Sequence, residues 1–294
     1  MKFARIGIRG HERQAILDSK GTYRDLTVIL RSFDDGILDP RARDAVAAAD
    51  LELLPAADAS TRVGPCVANV GKIIGIGLNY ADHAKESGMP VPAEPVIFGK
   101  PTSAISGPND PIIIPPGSRH TDWEVELGVV IGKAGSHISE NEAARHIAGF
   151  CVVNDVSERD FQLNRGGQWI KGKGYDSFAP IGPWLVTPDE IPDPHDLAMW
   201  LEVDGTPYQH SSTANMIFGC YEVISYLSRF MSLHPGDIIT TGTPAGVGMG
   251  QTPPQYLRHG QTVHLGIERL GEQCQQTIDW HPNNSGSREV TSND

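Results

Sequence analysis

Only four cysteines occur, Cys66, Cys151, Cys220 and Cys274, and no two of them form a C-x-x-C pair. Neither a zinc ribbon nor a disulfide framework is signalled, so the four are expected to be buried thiols. Positive charge is also scarce: 24 Lys and Arg stand against 36 Asp and Glu, a net charge of −12. That balance disfavours nucleic acid and anionic membrane as partners, because both recruit cationic surfaces. No run approaches the roughly 18 consecutive apolar residues of a membrane span. The opening MKFARIGIRGHERQ has no signal-peptide core, so a cytoplasmic location is expected. No internal repeat is present.

What is there is a chain of 294 residues, enough for one large domain, or a large one with a small one. The first stretch alternates short β-like runs with turns, KFARIGI, RQAILDS and KGTYRDLTVIL. The proline- and alanine-rich LLPAADASTRVGPCV then marks a boundary at about 55–70. A small N-terminal domain over 1–65, a main domain over 70–281 and a flexible tail over 282–294 are expected. The main domain carries many short apolar runs with turn signals such as Asp204-Gly205. Its clearest helix is GCYEVISYLSRFMSL, where Val223, Ile224, Leu227, Phe230 and Met231 recur at helical spacing as core or interface. These patterns predict a β-rich α+β fold.

Chemistry is suggested first by HTDWEVELGVVIG, residues 120–132. On a strand, Glu124 and Glu126 share one face and Trp123, Val125 and Leu127 the other. A second apolar strand, about 147–153, runs into Asn154-Asp155, which puts Asp155 at a strand end. Three converging carboxylates repel one another unless a cation lies between them, and an all-oxygen set selects a hard metal such as Mg²⁺ or Mn²⁺. A solvated acidic face is the competing interpretation, and spacing leaves Asp122 open as a further ligand.

In GIGLNYADHAKESG, Tyr80 stands where a dinucleotide fingerprint requires its third glycine. His83 and Glu86, three residues apart, are neighbours on a helix, as a general base and its orienting carboxylate must be. An ordinary surface His and Glu would have the same spacing. GGQWIKGKGYDSFAPIGP, with Lys171 and Lys173, and ITTGTPAGVG, around Thr243, are glycine-rich loops suited to small anions or simply to tight turns. Neither is a P-loop.

Taken in order, NYADHAKE, DWEVELGVVIG, VVNDVSERD, GKGYDSFAPIGP and GDIITTGTPAGVG resemble the fumarylacetoacetate hydrolase family over about residues 70–280. The resemblance implies a mixed β-roll catalytic domain, and Mg²⁺ or Mn²⁺ held by Glu124, Glu126 and Asp155. It further implies a His83–Glu86 dyad on a lid around Tyr80 to Met89, and Lys173 facing the reacting oxygens. Tyr80, Arg159, Gln162 and Gln168 are expected near the substrate, whose carboxylate goes to Thr243. A homodimer, possibly a dimer of dimers, is expected, as are a 2-oxo or 2,4-diketo acid substrate and no nucleic acid or membrane partner.

The family also holds decarboxylases, isomerases and proteins named for ureidoglycolate cleavage, so the motifs leave the substrate open. GGQWIKGKGYD followed by TGTPAGVGMGQTPPQYL is most similar to bacterial sugar-acid enzymes of L-rhamnose catabolism. These cleave 2,4-diketo-3-deoxy-L-rhamnonate to pyruvate and L-lactate. The donors Arg159, Gln162, Asn164, Arg165, Gln168 and Lys173 suit such a hydroxylated acyl portion. Acylpyruvate hydrolysis and oxaloacetate decarboxylation are the alternatives, and a non-catalytic binding protein is a third, which would need no His83–Glu86 pair.

Overall fold

A computed structural model describes residues 1–86, 88 and 90–282, so the expected tail lies outside the described residues save for Pro282. Its largest sheet has 11 strands among those residues. Nine lie in the spatial order Tyr23–Asp25, Arg13–Leu17, Lys2–Ile6, Ala179–Val186, Ile147–Asn154, Val125–Ile131, Ile238–Thr240, Ile73–Gly77 and Val96–Lys100. Val63–Gly64 joins Lys2–Ile6, and Ile105–Ser106 joins Ala179–Val186. The sheet is mixed: Ile73–Gly77 runs parallel to Ile238–Thr240 and antiparallel to Val96–Lys100. The β-rich α+β expectation holds.

A second sheet has the order Thr206–Ser212, Ala198–Val203, Thr262–Ile267, Gly271–Asp279 and Ile112–Ile114. Asp204 and Gly205 turn its first hairpin with φ of 51° and 75°, the pair of positive values a two-residue turn requires. Across the interface with the main sheet, Gln273 Nε2 donates to the carbonyls of Val152 and Gly182, both at 2.9 Å. Asn154 Nδ2 donates to Gln275 Oε1 at 3.1 Å. Burying these amides is tolerable because their polar atoms are paired.

The N-terminal strands extend the main sheet. Phe3 pairs with Leu185 and Lys2 with Val186, and the side chains of Phe3 and Ile6 are fully buried. Arg62 clamps this region to the rest, reaching Glu12 at 2.8 Å and Asp110 at 2.6 Å.

Two expectations need correction. The amphipathic helix ends at Leu227, and Phe230 is 62% exposed, because the chain turns there with the Ser228 hydroxyl donating to Ser225 O. Cys66, Cys151 and Cys220 are buried, but Cys274 is exposed. Gln273 and Gln275 take the inward positions of its strand, which turns the intervening thiol outward.

Candidate active site

Glu126 lies in the central strand Val125–Ile131, and Glu124 immediately precedes it. The partner strand Ile147–Asn154 pairs Glu126 with Val153, and Asp155 N donates to Glu124 O at 2.9 Å. This register brings Asp155 opposite the two glutamates. One carboxylate oxygen from each of Glu124, Glu126 and Asp155 falls within 4.8 Å of the others, and all three side chains are buried. The solvated acidic face is thereby excluded. A buried, all-oxygen donor set fits a hard divalent cation.

Cationic side chains surround the triad. Lys173 Nζ donates to Glu124 Oε2 at 2.6 Å and to Asp155 Oδ2 at 2.7 Å. Lys100 Nζ bonds Asp155 Oδ1, and Arg159 Nη1 reaches Glu124 Oε1 at 2.7 Å. Burial opposes charge on Glu124, but Lys173 and Arg159 outweigh it and hold its carboxyl below the usual range. Glu126 shifts the other way, pushed well above the usual range by burial and by the charges of Asp155 and Glu124. Burial also lowers the Lys100 ammonium, whereas Asp155 and Glu124 keep Lys173 above its ordinary value against the effect of burial. Asp122, left open as a ligand, is not one of the three. Its carboxylate accepts from Trp123 N, Gly248 N, Met249 N and Arg159 Nε at 2.7–2.9 Å.

The expected dyad forms on the short helix Ala81–Glu86, where His83 Nδ1 lies 3.4 Å from Glu86 Oε2. That contact is long for a hydrogen bond, as ligand-free dyads often are. Gly246 N holds Glu86 from the other side, at 3.0 and 3.1 Å from its two oxygens. The same glycine-rich loop sends Gly242 N to Glu126 Oε2 at 2.9 Å. One backbone segment therefore touches both the triad and the dyad.

A cavity of about 170 Å³ opens between these groups, with His83, Glu124, Glu126, Arg159, Gln162 and Lys173 in its wall. Arg159 Nη2 is buried without a hydrogen-bond partner. Other expected residues are placed differently. Tyr80 is fully buried, with its hydroxyl on Met199 Sδ at 3.3 Å, because it bridges to the second sheet instead of facing the cavity. Gln168, Asn164 and Arg165 are exposed, the last two bonded to Asp160. Lys171 turns away to Arg165 O. Thr243 lines the cavity, but its hydroxyl donates to Val125 O and accepts from Gln209 Nε2, so its proton is committed.

The sequence profile of the fumarylacetoacetate (FAA) hydrolase C-terminal domain matches residues 72–278, which contain every one of these groups. The chain belongs to the fumarylacetoacetate hydrolase family. A family relative from Burkholderia cenocepacia (strain HI2424), named only as a hydrolase, is 56% identical over 95% of this chain and 99% of its own. The fumarylacetoacetate hydrolase of Exiguobacterium antarcticum superposes with a TM-score of 0.82 at 34% identity, over 95% of this chain and all of that one. The maleylpyruvate hydrolase of Sphingobium sp. SYK-6, solved with manganese(II) and pyruvate, gives 0.78 at 28%, over 96% of this chain and all of that one.

In this fumarylacetoacetate hydrolase family chain, sequence reasoning missed Lys100 and the aromatic part of the cavity, Phe98 and Trp169. A signal existed for two of them. In VIFGK, strand alternation puts Val96, Phe98 and Lys100 on one face, and a lysine following that apolar face is a candidate for burial against a carboxylate. No helix among the described residues is long and apolar enough to cross a membrane.

Proposed function

We propose that the protein hydrolyses a carbon–carbon bond of a 2,4-diketo acid and releases pyruvate. One juxtaposition carries this reading: Glu124 and Glu126 of the carboxylate triad, Lys173, and His83 backed by Glu86 border the same cavity. A Mg²⁺ or Mn²⁺ ion held by Glu124, Glu126 and Asp155 would supply Lewis acidity for the carboxylate and 2-oxo oxygens of the substrate. Arg159 Nη2, buried and unpartnered, is available to a substrate oxygen, and Gln162 keeps the guanidinium in place through its Oε1 at 3.1 Å.

His83, with Nδ1 towards Glu86, has Nε2 to take a proton from water. The hydroxide oxygen bonds to C4, the C3–C4 bond breaks, and its electron pair passes into the enolate of pyruvate. Lys173, positively charged beside the triad, stabilises the oxygen charge that develops at C2. A proton returns to C3, and the acyl group leaves as a carboxylic acid. A binding protein has no use for a His83–Glu86 dyad beside a carboxylate triad suited to a hard metal.

Two substrates express this reaction, 2,4-diketo-3-deoxy-L-rhamnonate and acylpyruvates with a small acyl group. Of the six donors that favoured the former, Asn164, Arg165 and Gln168 are exposed, so the latter are better supported. The test offers the purified protein both substrates and oxaloacetate, with Mg²⁺, and identifies products by chromatography. Pyruvate plus a carboxylic acid from the diketo acids is expected. Faster carbon dioxide release from oxaloacetate would replace hydrolysis with decarboxylation.

A further inference from the structure

Beside the charged groups, the cavity is lined with carbon, from Leu78, Phe98, Leu163, Trp169 and Met249, and Lys173 Nζ lies 5.0 Å from the Phe98 ring centroid. This side is built on two glycines. Gly75 and Gly77 share one face of the strand Ile73–Gly77. A Cβ on Gly75 would come within 2.1 Å of the Phe98 ring, and one on Gly77 within 2.4 Å of the Trp169 ring. Both rings therefore lie directly on the backbone, their centroids 5.5 Å apart and their planes tilted by 52°. Neither ring is fully buried, so they do not belong to the closed core.

The residue after Gly77 adds a second sign of purpose. Leu78 has φ of +55°, a left-handed conformation that a bulky side chain seldom adopts. Asn79 holds it there: its Nδ2 donates to Phe218 O at 3.0 Å and to Thr241 O at 2.7 Å, and its Oδ1 accepts from Phe218 N at 2.8 Å. Strain of this kind persists at sites where the surroundings enforce it. Here it accompanies a leucine in the cavity wall.

We propose that Leu78, Phe98 and Trp169 form the acyl-binding wall, and that Trp169, seated on Gly77, determines which acylpyruvates are accepted. The proposal rests on the diketo acid hydrolase reading above. With the 2-oxo acid end held at the triad, the acyl group extends over these three side chains; Leu78 and Phe98 have no polar side-chain atom, and Trp169 has one, its indole N–H. Substrates are then sorted by apolar bulk. A lactoyl group is disfavoured because its hydroxyl exchanges water for mainly carbon contacts along this wall, where the Trp169 indole N–H is the one polar side-chain group of the three.

The test measures kcat/KM for acetylpyruvate, benzoylpyruvate and 2,4-diketo-3-deoxy-L-rhamnonate, with inhibition by oxalate as a separate report on the metal end. The wild-type protein is expected to prefer acetylpyruvate to the lactoyl substrate by about tenfold or more. Trp169→Ala should raise the benzoyl-to-acetyl ratio by about tenfold, and Gly77→Ala, which pushes the ring into the cavity, should lower it. Oxalate inhibition should be unchanged in both. If Gly77→Ala does not fold, Trp169→Phe takes its place, with an expected ratio between those of the wild type and Trp169→Ala. Variants that hydrolyse acylpyruvates with an unaltered ratio overturn the wall assignment alone. A wild-type protein that inhibitor-free assays find inactive on every diketo acid overturns the underlying reaction.

Discussion

Glu124 and Glu126 are two residues apart and buried to a similar degree, yet their carboxyls are shifted in opposite directions. The difference lies in their partners: Glu124 has Arg159 and Lys173 on its two oxygens, whereas Glu126 has a single backbone N–H and two like charges nearby. Removing the Glu126 charge should therefore stabilise the metal-free protein while weakening metal binding. Glu126→Gln is expected to raise the Tm of chelator-treated protein and to abolish most of the stabilisation by Mn²⁺. In the wild type that stabilisation should reach ~2.7 kcal/mol at a concentration of one hundred times Kd. A lower metal-free Tm would contradict the repulsion argument. His83 predicts a different result, since it contacts Glu86 and none of the triad oxygens through a hydrogen bond. His83→Ala should retain Mn²⁺ and oxalate binding while kcat falls by roughly 10² to 10⁴, the range for a lost general base. An unchanged kcat would make His83 a bystander.

The loop after Ile238–Thr240 connects these two groups, and Gly250 probes it. A Cβ there would lie 2.2 Å from the Glu86 carboxyl carbon, while the Gly250 backbone is not left-handed. Gly250→Ala should displace Glu86 from Gly246 N, reducing kcat by about tenfold with Mn²⁺ affinity intact. Equal losses in both would mean that the whole loop had moved. Much of this site was legible because period-2 alternation put Glu124 and Glu126 on one face and the end of an apolar strand marked Asp155. The His83–Glu86 pairing followed from helical spacing. The strand Gly271–Asp279 was not legible, because GEQCQQTID buries Gln273, Gln275 and Thr277, and no apolar alternation announces it. Exposure of Asn164, Arg165 and Gln168 was hidden for a related reason: composition identifies donors but not the turn that points them outwards.

For the whole molecule, the Glu12–Arg62–Asp110 clamp makes stability depend on acidity. Burial acts to raise both carboxyls, but their bonds to Arg62 hold Glu12 and Asp110 below the unfolded values of 4.5 and 3.8. Depressed folded values mean that this stability is complete above about pH 4.5 and is lost as pH falls through the folded values. Arg62→Gln should lower Tm at pH 7 by about 4 °C, as a loss of ~1–2 kcal/mol would, and by much less at pH 3. An equal drop at both pH values would exclude the clamp.

The pairing of Lys2–Ile6 with Ala179–Val186 also has a consequence for how the molecule keeps to itself. Were residues 1–65 removed, the end of the latter strand at Leu185 and Val186 would present a short row of open N–H and C=O groups beside the apolar surface that Phe3 and Ile6 now cover. Such a row templates pairing with any other chain. A protein shortened to residues 70–294 should therefore associate into large particles in light scattering, although it keeps all three triad carboxylates and both members of the dyad. A monodisperse shortened protein would show that the N-terminal strands do not act as this seal. On this account, the first strand of the chain protects against aggregation a catalytic sheet whose chemistry lies entirely in later residues.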